Sequence, residues 1–397
     1  MAVSDKDVFS FSEFAGLRNT VDPAEMDTAD LVTALNVDIT DARRVRRRKG
    51  FGAPVVSGAC HSFWSSGAHA YVVRAGELLQ VMPDFTVKVL RAGLTNAAQM
   101  EFDIVGERVF FSNGRENRVI ECGVARPWGL AVPGLPAVAK VTGSLRTGRY
   151  QYAVTFSDSL GQESGAGRAG LIDLVEPSGL AFSSFGTVPD NASSINIYLS
   201  QPDGDTLYLA DQLHPAATLT TVTAPIDGVV PLSTQFLSPP PPGAHIVYSY
   251  GRMYVSDGQR VYQSEPYAPE LFDLRKHYPT ESLVTMLAAV DGGVFIGTES
   301  GVGWVSGTEP DKSVLTHKAP HGVVPGTLAY GPTDDFGGAV DGRAAYFATT
   351  GGIMRGLPGG QLENLTRARY QYPTAVRGAG VVRATGGVAQ YLVVLQG

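Results

Sequence analysis

The sequence predicts an all-β protein: a β-propeller of about six blades, closed by its N-terminal strand, with an immunoglobulin- or fibronectin III-like β-sandwich inserted in it. Three observations predict it. A short hairpin pattern recurs along the chain every 39 to 50 residues. One interval in that series is longer, by roughly the 100 residues of a sandwich domain. Glycine and proline are abundant, 47 and 25 of 397 residues, which suits many short strands joined by turns.

The repeat is a glycine, an alternating apolar strand, a tight polar or glycine turn, and a second apolar strand. Copies begin at Gly67 (GAHAYVVRAGELLQV), Gly106 (GERVFFSNGRENRVIEC), Gly251 (GRMYVSDGQRVYQSE), Gly292 (GGVFIGTESGVGWVSG), Gly342 (GRAAYFATTGGIMRG) and Gly386 (GGVAQYLVVLQG). Val109 and Phe111, like Met253 and Val255, stand two apart and so share a strand face. Asn113-Gly114, Asp257-Gly258 and Gly351-Gly352 offer the positive φ of tight hairpin turns. The step from Gly67 to Gly106 is 39 residues; those from Gly251 onward are 41, 50 and 44. Antiparallel units of this length are a propeller signature. A hairpin that cannot bury both faces alone can do so between neighbours.

From Gly106 to Gly251 is 145 residues, one period plus roughly 100, and the extra stretch reads as strands. GRYQYAVTFSDSLGQES puts Tyr150, Tyr152, Val154 and Phe156 on one face. SSINIYLSQPDGDTLYLADQL is two strands around Pro202-Asp203-Gly204, and ATLTTVTAP is a closing strand. The bounds are VPGLPAV (132–138) and LSPPPPG (237–243), whose four prolines make a stiff connector. Residues 1–131 and 239–397 are then the two parts of the propeller, and 132–238 the insert. The last hairpin is too short for a blade. LNVDIT and RRVRRRKGF, two strands around Asp41-Ala42, supply its missing half, so that the sixth blade is shared between the termini. A short helix is expected within 22–37, capped near Asp27 or Thr28.

Charge is uneven. Arg43, Arg44, Arg46, Arg47, Arg48 and Lys49 are six basic residues in seven, within a chain of net charge −7. The other 25 basic residues face 38 acidic ones, a balance of −13, unlike a general DNA-binding protein. As a strand, Arg43, Val45, Arg47 and Lys49 share one side, and Arg44, Arg46 and Arg48 the other. Both sides are basic, so this is an edge strand, not a central one. Its side chains serve water, DNA phosphate or an acidic neighbouring subunit.

The arrangement FAGLRNTVDP…DLVTALNVDITDARRVRRRKGF resembles the start of bacteriophage virion proteins of the tail hub, nozzle or head-to-tail stabilisation type. The residues that carry it are Asn36, Val37, Asp38, Ile39, Arg46, Arg47, Arg48, Gly50 and Phe51, with Lys49 where the pattern has proline. The resemblance implies a podovirus-type structural protein with a propeller and, in some members, an inserted immunoglobulin-like domain. It implies a homo-oligomeric ring, often sixfold, around the passage for genomic DNA. Its partners would be adaptor, portal or other tail proteins, and its location the virion after synthesis in the host cytoplasm.

No enzymatic activity, metal or cofactor is expected. The sialidase box Ser-x-Asp-x-Gly-x-x-Trp is absent, as are a phosphate loop and a GxSxG elbow. His317 and His321 lie around Pro320 with no third ligand near. Asp203/Asp205 and Asp334/Asp335 sit in turn or loop sequence. Cys60 and Cys122 make no metal pair and allow at most one bridge. The start lacks a secretory pattern, and no segment has the ~18 apolar residues of a membrane span. An alternative reading is a tail-tip adhesin or glycan-binding propeller, with Tyr267, Tyr278, Tyr370 and Tyr372 stacking on sugars.

Overall fold

The computed structural model describes residues 13–40, 42–48, 50, 52–67, 69–94, 98–308, 312–333, 342–366, 369–385 and 388–397. It is all-β, and helix among these residues is limited to single 3₁₀ turns. The chain forms two compact units, one of residues 58–279 and one joining the segment up to Ser57 to residues from Thr280 onward.

The N-terminal segment holds β1 (Gly16–Leu17), parallel to β2 (Asp30–Leu31), and β3 (Val37–Ile39), antiparallel to β4 (Val45–Arg47). The helix expected in 22–37 is a single turn, Pro23–Glu25, capped by Asp22, whose carboxylate accepts from Ala24 N at 2.8 Å. Asp27 caps no helix. Its side chain accepts from Ala29 N and its carbonyl from Asp30 N, a local turn that leads into β2.

In the unit of residues 58–279, β5 (Cys60–Ser66), β6 (His69–Arg74), β7 (Glu77–Val81) and β8 (Val87–Arg91) form a four-stranded meander. So do β9 (Glu101–Val105), β10 (Arg108–Ser112), β11 (Asn117–Glu121) and β12 (Val124–Pro127). Alternation on β10 explains their stacking. Val109 and Phe111 join the core with Tyr71, Val73 and Leu78 of the first sheet. Phe110, between them, faces the opposite core with Trp128, Met253, Val255 and Phe272. Both faces of the sheet are thus buried between neighbouring sheets, as in propeller blades. Burying each such phenylalanine contributes roughly 1.5–3 kcal/mol.

The next seven strands are β13 (Ala137–Leu145), β14 (Gly148–Asp158), β15 (Gly170–Leu174), β16 (Ser178–Ser183), β17 (Ala192–Ser200), β18 (Leu207–Leu213) and β19 (Leu219–Val222). They make two sheets, β13-β16-β19 and β15-β14-β17-β18. The sheets share one core, in which Tyr150, Tyr152, Val154 and Phe156 meet Leu180, Phe182 and Val222. This is a sandwich, with the predicted face of β14 inward. Its first, fourth and seventh strands form one sheet. A constant-type immunoglobulin domain instead groups its first, second, fourth and fifth. Before the chain leaves for the next meander, the proline run is gripped from β11. Asn117 Nδ2 donates to the carbonyls of Pro240 and Pro241 at 3.0 and 2.9 Å. Prolines offer only acceptors, so their fixing needs such an outside donor. The two ends of the insert meet: a Cβ added to Gly129 would lie 3.1 Å from Pro239 Cβ.

β20 (His245–Ser249), β21 (Arg252–Asp257), β22 (Arg260–Glu265) and β23 (Ala268–Pro279) complete this unit. Three of its hairpins turn on pairs with both φ positive: Ala75-Gly76 (49° and 78°), Cys122-Gly123 (48° and 73°) and Tyr250-Gly251 (48° and 77°). Such pairs match the twist of the flanking strands.

The other unit repeats the meander twice, in β24 (Val284–Val290), β25 (Gly293–Thr298), β26 (Val302–Ser306) and β27 (Thr316–Ala319), then in β28 (Ala329–Pro332), β29 (Arg343–Thr349), β30 (Gly352–Leu357) and β31 (Gln361–Asn364). Phe295 and Trp304 of the first pack with Ala345, Phe347 and Met354 of the second. The hairpin β32 (Arg377–Thr385) and β33 (Val388–Gln396) covers the second with Val382, Tyr391, Val393 and Leu395. The stretch from Gly386, expected to be a hairpin of its own, is the single strand β33 paired with the preceding β32, and Gly386 itself lies outside the described residues. No ladder joins the termini among the described residues, contrary to expectation: β3 pairs with β4, and β32 with β33. The join is made by side chains together with a backbone hydrogen bond from Asn19 N to Arg369 O.

Candidate functional site

β4 carries Arg46 and Arg47 of the basic run, with Arg44 and Arg48 beside its ends, and the structure divides that run. The pairing Val37↔Arg47, Asp38↔Arg46, Ile39↔Val45 puts Asp38 on the face of Arg46 and Arg48. Asp38 is buried, with 6% of its area exposed. It accepts from Arg48 Nε at 3.0 Å and from Arg383 Nη2 at 2.9 Å. Arg383 is held in turn by Gln390 Oε1, at 2.8 Å from Nη2. Burial raises the cost of the Asp38 charge, but hydrogen bonds and charge from Arg48 and Arg383 outweigh it and hold the carboxyl below its ordinary value.

A second carboxylate repeats this arrangement. Asp30 of β2 receives Arg18 Nη1 at 3.0 Å and also binds Arg369. The Arg18 hydrogen bond is the largest influence on its carboxyl. With the charge of Arg369 it overcomes burial, so this group too lies below its ordinary value. Between the two nodes, Asn19 and Gln371 exchange hydrogen bonds: Asn19 Nδ2 to Gln371 O at 2.6 Å, and Gln371 N to Asn19 Oδ1 at 2.7 Å. Asn19 N also donates to Arg369 O at 2.9 Å. Asp38 is the only buried residue in the described part of this segment. The segment is therefore clasped to the chain's C-terminal part by polar contacts, with little help from apolar burial.

Of the six predicted basic residues, Arg48 is committed to Asp38. Arg43, at φ 53°, lies 3.7 Å from Glu13 with both side chains exposed. Arg44, Arg46 and Arg47 are exposed and form no ion pair among the described residues. Lys49 lies outside the described residues. The run is an exposed edge, as its two basic faces predicted. The Asp38 and Asp30 nodes were missed. One partner of Asp38 is 10 residues away and the other 345.

The remaining candidates are dispersed. His317 lies exposed on β27 and His321 in the following loop, so no helix face joins them. No cluster of three or more His, Cys, Asp or Glu suited to a metal exists among the described residues. Asp203 accepts from Arg149 N at 2.9 Å and Asp205 from Gln151 Nε2 at 3.1 Å, both shaping the β17–β18 turn. Asp334 and Asp335 lie outside the described residues. Cys60 and Cys122 are free and exposed. His61 is half-buried, and burial lowers its pKa. Of the four tyrosines, Tyr267 is exposed, Tyr278 is buried, and Tyr372 donates to Thr349 O at 2.7 Å. Among the described residues, no helix is long and apolar enough to cross a membrane.

No family model matches the chain, and no curated protein does. Among solved structures it is similar to apo AztD from Citrobacter koseri, at 11% identity over 78% of this chain and 88% of that one, with a TM-score of 0.27. It is also similar to a gluconolactonase from Xanthomonas campestris, at 12% identity over 86% of this chain and 88% of that one, again at 0.27. At that TM-score neither likeness says what this chain does.

Proposed function

We propose that the chain is a structural protein of a bacteriophage tail or head–tail connector, without enzymatic activity. In this reading copies form a ring around the DNA passage and dock adaptor, portal or other tail proteins. The five four-stranded meanders are five blades of a propeller, and the hairpins β3–β4 and β32–β33, linked to each other by side chains and not by a ladder, take the sixth position. The sandwich is its immunoglobulin-like insert, with a strand grouping of its own.

One observation carries the reading. Val37, Asp38, Ile39, Arg46 and Arg47, five of the residues on which the family resemblance rests, lie in one paired hairpin, β3–β4, and Asp38 of its Asn-Val-Asp-Ile stretch is the buried carboxylate that Arg48 of the same motif holds; Phe51 lies outside the described residues. The motif thus has a physical reason to recur as a unit. Electron microscopy of the purified protein and of particles tests the proposal. Rings with a central channel, placed on the tail axis, are expected. A protein that stays monomeric under all conditions, or that sits as peripheral copies binding surface glycan, overturns it.

A further inference from the structure

We propose that Arg44, Arg46 and Arg47 form a binding surface for the phosphate backbone of DNA, read without regard to sequence, while Arg43 and Arg48 hold the strand that presents it. The choice of polyanion rests on the proposed tail function; the choice of residues does not.

The division follows from what each guanidinium touches. Arg48 is spent on Asp38, and Arg43 faces Glu13. The other three are exposed and have no carboxylate at ion-pair distance among the described residues. Their backbone is fixed. Val45 and Arg47 lie in the ladder with β3, Arg44 N donates to Thr40 Oγ1 at 3.1 Å, and Thr40 N donates to Arg44 O at 2.9 Å. The Asp38–Arg383 contact ties the hairpin down. The three charges therefore sit at set positions on a held strand, which lowers the entropy lost on binding.

The chemistry fits phosphate better than a protein surface. Stable protein interfaces have an apolar centre. Here the one apolar residue among the arginines is Val45, 37% exposed. No amide or aromatic side chain lies on β4 to read adenine or stack on a base, and guanidinium groups spaced along one exposed strand suit the phosphate oxygens that take most protein–DNA hydrogen bonds. Arg44 and Arg46 stand two residues apart on an extended stretch. That is about 6.6 Å, on the order of two base-pair rises along a duplex. Arg47 lies on the opposite face, so the strand's edge can straddle a backbone. The acidic balance of −13 elsewhere repels the polyanion and focuses contact here.

The test is fluorescence anisotropy of the purified full chain with labelled duplexes of two unrelated sequences across a salt series. The wild-type protein is expected to bind both alike, more weakly as salt rises. Replacing all three residues (R44S/R46S/R47S) should shrink the slope of log affinity against log salt by roughly 2–3, near 0.9 for each phosphate no longer neutralised. The charge-preserving R44K/R46K/R47K variant should keep the slope. If the serine variant does not fold, R47S, on the face away from Asp38, carries the test with a slope change of about 1. Wild-type-like binding by a folded serine variant overturns the proposal. So does sequence discrimination, or a variant that keeps DNA binding but no longer engages an acidic partner protein. Ring formation is read separately: a monomer that binds DNA through these residues defeats the tail ring and leaves this surface standing, and rings indifferent to DNA do the reverse.

Discussion

Arg383 and Asp38 stand 345 residues apart in the chain and 2.9 Å apart in the structure. With Arg48 on its other oxygen, Asp38 is a buried charge held by two guanidinium groups. Asp38→Asn should loosen the N-terminal segment. Removing one member of a fully buried pair costs about 3–5 kcal/mol. Arg48 and Arg383 keep 42% and 32% of their side-chain area exposed, so a loss of about 1–3 kcal/mol is expected. Limited trypsin digestion should cut within Arg43–Arg48 faster in this variant. An unchanged cleavage rate would remove Asp38 from this role.

Acid should open the same clasp. The carboxyls of Asp30 and Asp38 both lie below the ordinary value of 3.8. Such groups stabilise the fold fully above their unfolded pKa, and that contribution is lost as pH falls through the lower folded value. Stability should therefore hold at mildly acidic pH and fall below about pH 4. Thermal melting across pH measures this. The D30N/D38N variant should be less stable at neutral pH and show a flatter acid limb.

Strands β9 and β20 are joined by a different device. Glu101 Oε2 accepts from Ile246 N at 3.2 Å, and Asp103 Oδ2 from Tyr248 N at 2.6 Å. Carboxylates two apart on β9 thus engage alternate backbone donors on the free edge of β20. Asp103→Ala should cost about 1–3 kcal/mol, because a charge-assisted bond is lost and the amide donor is left without it. Faster hydrogen exchange at the Tyr248 amide is the direct readout.

The loop between β14 and β15 contains a built-in control. A Cβ on Gly165 would lie 1.7 Å from the Leu237 carbonyl oxygen, whereas one on Gly167 would meet nothing within 4 Å. Gly165→Ala should destabilise by at least about 1–3 kcal/mol, the usual cost of overpacking. Gly167→Ala should be neutral or slightly stabilising. Equal melting temperatures for the two variants would contradict this packing.

Strands were legible because alternation is local. Tyr150, Tyr152, Val154 and Phe156 are inward in the sequence pattern and in the core alike. Turn chemistry was half legible: glycine marks the second turn position, but Ala75, Cys122 and Tyr250 take positive φ at the first against their own preference. The grouping of β13 with β16 and β19 was not legible, since such pairing depends on distant strands and not on local pattern. Nor were the carboxylate nodes. Asp38 and Asp30 look like ordinary surface residues until Arg383 and Arg369 arrive from the far end of the chain. Asp27 misled for a local reason, because a good helix cap equally makes a turn.

The contact between Gly129 and Pro239 has a consequence for how such a chain can change over time. The polypeptide departs for the sandwich and comes back at one point, between complete meanders, so no ladder of the flanking sheets runs through the detour. Gaining, losing or exchanging the module leaves the ladders of those meanders in place, with the isolated bridge from Ser238 to Phe272 of β23 at its border. The sandwich can therefore diverge as a separate evolutionary unit while the stacked sheets stay as they are.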